Sequence, residues 1–295
     1  MFTNDFSWFN NFENLNPRHE KIYWNEDSEN TWRDQYIQDG FIVLKNFFKS
    51  LNENDINRCI TDILDKPKNG VIFENNSYNV RSQFDLHNSF TNLFKKLVPI
   101  QLIDIASNIL GSNPIIYQSH LNFKFAKVGE DFGWHSDYVY WREQDKMLQP
   151  RAISAIIPLS EHNQLNGGLQ LLRGSHKFYY PTSFLKSTSW TIEMVKHKSN
   201  EEQSSSGIVP PHISNQIPAE LVHQSELSHG DMIIMDANTW HYSPNNNSKL
   251  NRPTLFVILI SSETPFLDNI NHDYTRPNYI SCRNKISLKQ ILNIS

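Results

Sequence analysis

The chain has 295 residues, 38% of them hydrophobic, enough for one substantial core or at most two lobes. Its formal net charge is -4 and it carries no basic stripe, which argues against a nucleic-acid partner. The two cysteines, Cys59 and Cys282, suggest neither a disulfide framework nor a zinc cluster, and no apolar run approaches membrane-spanning length.

Residues 1–30 are mixed in character and read as a loose N-terminal extension, without the apolar stretch of a signal peptide, so a cytoplasmic location is expected. From Thr31 a short helix is expected to Asp39, stopped by Gly40, followed by a strand over Phe41–Leu44. Asn52 or Asn54 can cap the next helix, in which Ile56, Cys59, Ile60, Ile63 and Leu64 form one apolar stripe. Phe90, Leu93, Phe94 and Leu97 mark another helix up to Pro99. Leu102, Ile103, Ile105, Ala106, Ile109 and Leu110 continue the helical pattern until Gly111.

After Pro114 the pattern turns to strands: Ile115–Lys124, Ala152–Leu159, Gly168–Leu172, Asp231–Asp236 and Thr254–Ser261. Helices first and strands later point to a mainly β single domain over 1–295. The expected fold is a double-stranded β-helix, a cupin-like jelly roll, with the N-terminal helices packed on one sheet. Residues 183–225 read as an insertion, either a lid or a surface loop.

Within the β region, Trp134-His135-Ser136-Asp137 is followed far downstream by His241 and Arg252. A His and an Asp two apart on an extended strand share a face, and a distant His closes a three-point bite on one metal. Two imidazoles and one carboxylate on one facet are the ligand set of non-heme Fe(II) oxygenases, with positions left open for oxygen and a co-substrate. Zinc hydrolases use similar ligands, but the HExxH helix of metalloproteases is absent from the sequence. Ser243 and Arg252 have a clear task in holding an oxo-acid: a hydroxyl hydrogen bond and a bidentate clamp. A second His-x-Asp, His229-Gly230-Asp231, reads as a turn feeding a strand.

Further motifs surround the trio: Asn122-Phe123-Lys124, Phe132-Gly133-Trp134-His135-Ser136-Asp137, Arg151-Ala152-Ile153-Ser154, Asn166-Gly167-Gly168, Arg173-Gly174-Ser175-His176 and Asp236-Ala237-Asn238-Thr239-Trp240-His241. Together with Arg252 they resemble the phytanoyl-CoA dioxygenase superfamily, and within it the branch of ectoine hydroxylases and bacterial free-proline 4-hydroxylases. The resemblance covers residues 31 to 262. It implies Fe(II) at His135, Asp137 and His241. It also implies 2-oxoglutarate at Arg252 and Ser243 beside Asn122, Phe132 and Ser154, molecular oxygen as oxidant, and a substrate side that includes Gln118, Trp141 and Phe256.

Departures fall on the substrate side. Tyr138-Val139-Tyr140-Trp141-Arg142 replaces the Phe-Glu-Thr-Trp-His run of ectoine hydroxylases, and Met235 replaces a phenylalanine of the substrate box. Trp141, Tyr138, Tyr140 and Phe256 are expected to enclose a small ring or chain, with Gln118, His120, Arg81 and Arg142 available to a carboxylate. The expected reaction is hydroxylation of a free amino acid or amino-acid-derived zwitterion. The alternatives are the same oxidation ending in desaturation or cyclisation, and a non-catalytic cupin-like binding protein.

Overall fold

The computed structural model describes residues 31–49, 51–74, 78–180, 207–267 and 276–294; the expected extension 1–30 and residues 183–206 of the expected insertion lie outside these. In chain order the strands are β1 (Phe41–Leu44), β2 (Val71–Phe73), β3 (Val80–Phe84), β4 (Pro114–Lys124), β5 (Phe132–His135), β6 (Ala152–Pro158), β7 (Gln170–Leu172), β8 (Val222–Gln224), β9 (Met232–Asp236), β10 (His241–Ser243) and β11 (Arg252–Ser261). The helices are α1 (Thr31–Asp39), α2 (Glu53–Asp65), α3 (Leu86–Ser89), α4 (Thr91–Leu97), α5 (Leu102–Leu110), α6 (Asp137–Glu143), α7 (Pro211–Ser214) and α8 (Leu288–Leu292).

Two antiparallel sheets result, a seven-stranded one ordered β1-β9-β6-β11-β4-β3-β2 and a four-stranded one ordered β5-β10-β7-β8. Strand alternation divides the large sheet into two faces. Leu121 and Phe123 of β4 and Leu255, Val257 and Leu259 of β11 join Ile56, Ile63, Phe94, Leu102 and Ala106 of the helices in one buried cluster. On the opposite face, Phe41, Ile156, Ile233 and Met235 meet Leu169 and Leu171, joining the large sheet to the region of β7. This is the double-stranded β-helix with helices on one sheet.

The expected caps form: Asn52 Oδ1 accepts from Asp55 N at 2.9 Å, and Gly111 closes α5 in the left-handed region. The strand expected from Gly168 begins only at Gln170, because Gly168 N is taken by Asn163 O in the preceding turn. β11 starts at Arg252, two residues before the expected Thr254. Residues 222–224, expected inside the insertion, are a strand: β8 pairs with β7. β2, β3, β5, β8 and β10 have three to five residues each, too short to print a period.

The register of β4 on β11 positions the site. Lys124 pairs with Arg252, Asn122 with Thr254, His120 with Phe256 and Gln118 with Ile258. A polar row of period two therefore runs along the face of β4 turned away from the helices.

Candidate active site

His135 ends β5 and His241 begins β10, and the two are direct partners in the ladder. Asp137 is not on the strand. Ser136 keeps extended dihedrals, but Asp137 is the first residue of α6, so the expected same-face placement on one strand is corrected to a strand end followed by a helix N-terminus. A carboxylate is favoured there by the helix dipole. The outcome for the trio is unchanged: its ligand atoms lie within 4.8 Å of one another. His135 Nε2 and His241 Nε2 stand 3.9 and 3.8 Å from Asp137 Oδ1.

Backbone carbonyls orient both rings. Gly133 O lies 2.7 Å from His135 Nδ1, and Thr239 O lies 3.0 Å from His241 Nδ1. A carbonyl only accepts, so each Nδ1 carries the proton and each Nε2 lone pair turns toward the carboxylate. Burial, then the neighbouring His241, push His135 well below its ordinary pKa, which keeps it a neutral ligand. Ser154, expected beside the co-substrate, donates to Asp137 Oδ2 at 3.2 Å and so also orients the carboxylate. Phe132 packs its ring edge-on to His135, 4.4 Å between centroids. The His229 alternative is a turn, closed by Asp231 N to Ser228 O at 3.0 Å, with Asp231 engaged by Lys45.

At one end of the polar row, Arg252 Nη2 donates to Ser243 Oγ at 3.1 Å and Nη1 to Thr254 Oγ1 at 3.2 Å. Its Nε is buried and has no partner among the described residues. Burial lowers this guanidinium to about 10, still charged at neutral pH. Lys124 Nζ reaches the same Ser243 Oγ at 2.7 Å and also the carbonyls of Ser243 and Pro244. Burial, then Arg252, lower Lys124 to about 6. Gly167 lets the chain pass this close: its φ is +77°, and a Cβ there would meet Pro244 O at 2.3 Å. Asn122 accepts from Ser82 Oγ at 2.6 Å. A buried guanidinium with an unpartnered Nε, beside an amine that can take up a proton, suits a carboxylate.

The other end is aromatic with a polar edge. His120 stacks between Phe84 and Phe256, with centroids 4.7 and 4.8 Å away. Gln118 Nε2 lies 3.0 Å from His120 Nδ1, while Gln118 Oε1 is buried and has no partner among the described residues. Burial, then Arg276, lower His120 to about 3, so it is neutral. Trp141 is buried edge-on to Tyr117. Tyr140 lies 5.9 Å from His135, centroid to centroid. Gly207, at φ +78°, sits against it, where a Cβ would meet the Tyr140 ring at 2.7 Å. Residues 207 and 209 of the expected insertion are thus stitched to the site, with Val209 N donating to Trp134 O at 2.7 Å.

Four more residues expected on the substrate side have partners of their own. Tyr138 is in a core cluster, its hydroxyl donating to Leu148 O at 3.1 Å. Arg142 lies over the Tyr179 ring, 38% exposed. Arg81 pairs with Glu74, and its charge acts on Lys124 at the opposite end of the row. Met235 is fully buried in the cluster between the sheets that Phe256 borders.

The sequence reading missed Lys124, Thr254, His162 and Arg276 as parts of this region. For Lys124 and Thr254 a signal existed: both alternate with apolar residues on strands that were expected. Arg276 gave none. It is buried and grips Asp145 through Nε at 3.0 Å and through Nη2; Tyr117 donates to the same carboxylate. Burial would lower Arg276, but Asp145 outweighs it and the pKa is raised.

Comparisons with known proteins agree with this geometry. A family model described as phytanoyl-CoA dioxygenase matches residues 36–254. Ectoine dioxygenase of Bordetella bronchiseptica is 30% identical over 254 residues, 84% of this chain and 80% of that one. Ectoine dioxygenase of Nocardia farcinica is 26% identical over 256 residues, 84% and 83% of the two chains. The crystal structure of EctD from S. alaskensis with 2-oxoglutarate and 5-hydroxyectoine shares the fold, with a TM-score of 0.75, 22% identity and coverage of 95% and 94%. The alpha-ketoglutarate-dependent carbocyclase SnoK from nogalamycin biosynthesis does so at a TM-score of 0.60, 14% identity and coverage of 83% and 89%. The chain belongs to the phytanoyl-CoA dioxygenase family and is an iron- and 2-oxoglutarate-dependent dioxygenase.

Proposed function

We propose that this dioxygenase hydroxylates an unactivated carbon of a small amino-acid-derived zwitterion, with iron held by His135, Asp137 and His241. Arg252 and Ser243 would anchor the distal carboxylate of 2-oxoglutarate. The observation that carries the reading is the polar row of β4, which joins a basic end at Lys124 and Arg252 to a neutral amide–imidazole end at Gln118 and His120. The first end suits a dianion. The second suits a small polar molecule with an N–H to give to Gln118 Oε1.

When bound, iron and 2-oxoglutarate together activate oxygen for removal of a hydrogen from carbon. The chain's own residues do the rest. His135 and His241 stay neutral donors because carbonyls hold their Nδ1 protons. Ser154 keeps Asp137 turned to them. Phe132, Tyr140 and Trp141 keep water from the reacting carbon. Arg276 supplies positive potential near His120 for a substrate carboxylate, although Asp145 partly offsets it.

Ectoine heads the candidates because the relatives named above act on it; proline and other cyclic amino acids follow. No helix among the described residues is long and apolar enough to cross a membrane. Cys59 and Cys282 are buried free thiols, which suits a reducing cytoplasm. The test is turnover of these compounds with Fe(II) and 2-oxoglutarate, followed by succinate formation and product mass. A gain of one oxygen is expected, and His135→Ala should abolish it. A loss of two hydrogens would replace hydroxylation by desaturation or cyclisation. No succinate with any candidate, together with no ferrous complex, would overturn the enzymatic reading.

A further inference from the structure

Thr254 connects the arginine clamp to a buried histidine that the proposed reaction does not use. Arg252 Nη1 donates to Thr254 Oγ1 at 3.2 Å, and Thr254 Oγ1 lies 3.2 Å from His162 Nε2. All three side chains are buried. His162 follows β6 and is pinned by its own backbone, which exchanges hydrogen bonds with Leu227 at 2.8 and 3.0 Å. Its position is therefore set independently of Arg252.

Proton counting gives the relay a direction. A threonine hydroxyl has one proton and two lone pairs. Arg252 donates to one lone pair. The Pro253 carbonyl acts on this ring and can only accept, and His162 Nδ1 is buried without a hydrogen-bond partner among the described residues. With Nε2 engaged by Thr254, whose hydroxyl already accepts from Arg252, the ring proton is assigned to Nδ1 and the bare Nε2 takes the Thr254 proton. Charged neighbours reinforce a neutral ring: burial, then Arg252, push His162 well below its ordinary pKa, and His229 acts in the same sense.

We propose that His162 is a positioning residue for co-substrate binding: by accepting the Thr254 proton it keeps the hydroxyl's lone pair on Arg252 and so orients the guanidinium toward a distal carboxylate. Thr254 holds Nη1 and Ser243 holds Nη2, which fixes the guanidinium plane at two points. Without an acceptor at position 162 the Thr254 hydroxyl is free to turn its proton toward the cation, and one of the two points is lost. The proposal rests on the assignment of Arg252 to the 2-oxoglutarate carboxylate.

The test uses the full-length protein loaded with Mn(II), which is redox-silent, and calorimetric titration with two chelators. 2-Oxoglutarate reaches both the metal and Arg252. Oxalate chelates the metal but has nothing to reach Arg252. His162→Leu should weaken 2-oxoglutarate about 10-fold, the scale of one lost buried hydrogen bond, and leave oxalate unchanged. His162→Gln keeps an acceptor and should restore binding to within about twofold of wild type. Thr254→Val breaks the same relay from the other side and should show the same selective loss, so it reads the relay if the leucine variant does not fold. Equal binding of 2-oxoglutarate by variants and wild type overturns the proposal, and so does an equal loss of oxalate, which marks a merely structural role. Wild-type protein that binds oxalate but not 2-oxoglutarate would instead overturn the underlying assignment.

Discussion

Lys124 and Arg252, paired across β4 and β11, converge on one oxygen: Nζ and Nη2 lie 2.7 and 3.1 Å from Ser243 Oγ. Burial first, and then the neighbouring Arg252 charge, lower the Lys124 amine to about 6. A carboxylate arriving beside them favours the charged form and raises that pKa again.

Binding of 2-oxoglutarate should therefore take up roughly one proton at about pH 7.5, where a free Lys124 near 6 is neutral. Calorimetry in two buffers of different ionisation enthalpy measures the uptake, which should vanish well below pH 6 and in Lys124→Met. Stability carries the same signature. The unfolded lysine titrates near 10.5 and the folded one near 6, so the unfolded chain binds more protons between them and stability rises with pH across that window. Denaturant midpoints for wild type and Lys124→Met should differ in this slope.

Ser154→Ala removes the hydrogen bond to Asp137 Oδ2 while leaving all three proposed ligands in place. Metal affinity should fall by about 10-fold, within the range for outer-shell partners. Titration of Mn(II) followed by electron paramagnetic resonance checks it. Unchanged affinity would mean that the helix N-terminus alone orients Asp137.

His120→Phe keeps the stack between Phe84 and Phe256 but removes the nitrogen that holds the Gln118 amide. The amide can then turn, and Oε1 is no longer presented to the substrate. The KM for the organic substrate should rise about 10-fold while the KM for 2-oxoglutarate stays the same. A parallel rise in both would show that the pair serves the whole pocket.

Asp145→Asn leaves Arg276 buried beside a neutral amide. Removing one partner of a buried pair costs about 3–5 kcal/mol, so a clear fall in melting temperature is expected. The double variant Asp145→Asn with Arg276→Met should recover part of that stability, because no uncompensated charge remains. Its substrate KM should rise above that of the wild type, because the guanidinium is gone.

Much of this was legible in the sequence because its signals are local. Helical stripes with Asn52 and Gly111 at their ends, and the long strands β4, β6 and β11, print their periods over many residues. The trio was legible because His135 and Asp137 are two residues apart and His241 stands in a dense motif. Other signals misled. Asp137 was expected on one strand with His135, yet it opens α6, where Tyr138 and Trp141 pack against Tyr179 and Tyr117. The same helix places Arg142 over the Tyr179 ring.

By itself the sequence determined the fold class, the three candidate ligands and the arginine clamp. These depend on residue type and short spacing. Only the tertiary structure decided which groups share the cleft with them. Lys124 meets Ser243 from 119 positions away, and His162 meets Thr254 across 92. Arg276 reaches Asp145 across 131. No local pattern encodes such meetings: the approach of the two sheets creates the first, the chain following β6 the second, and burial, which makes an unpaired charge costly, holds the third together.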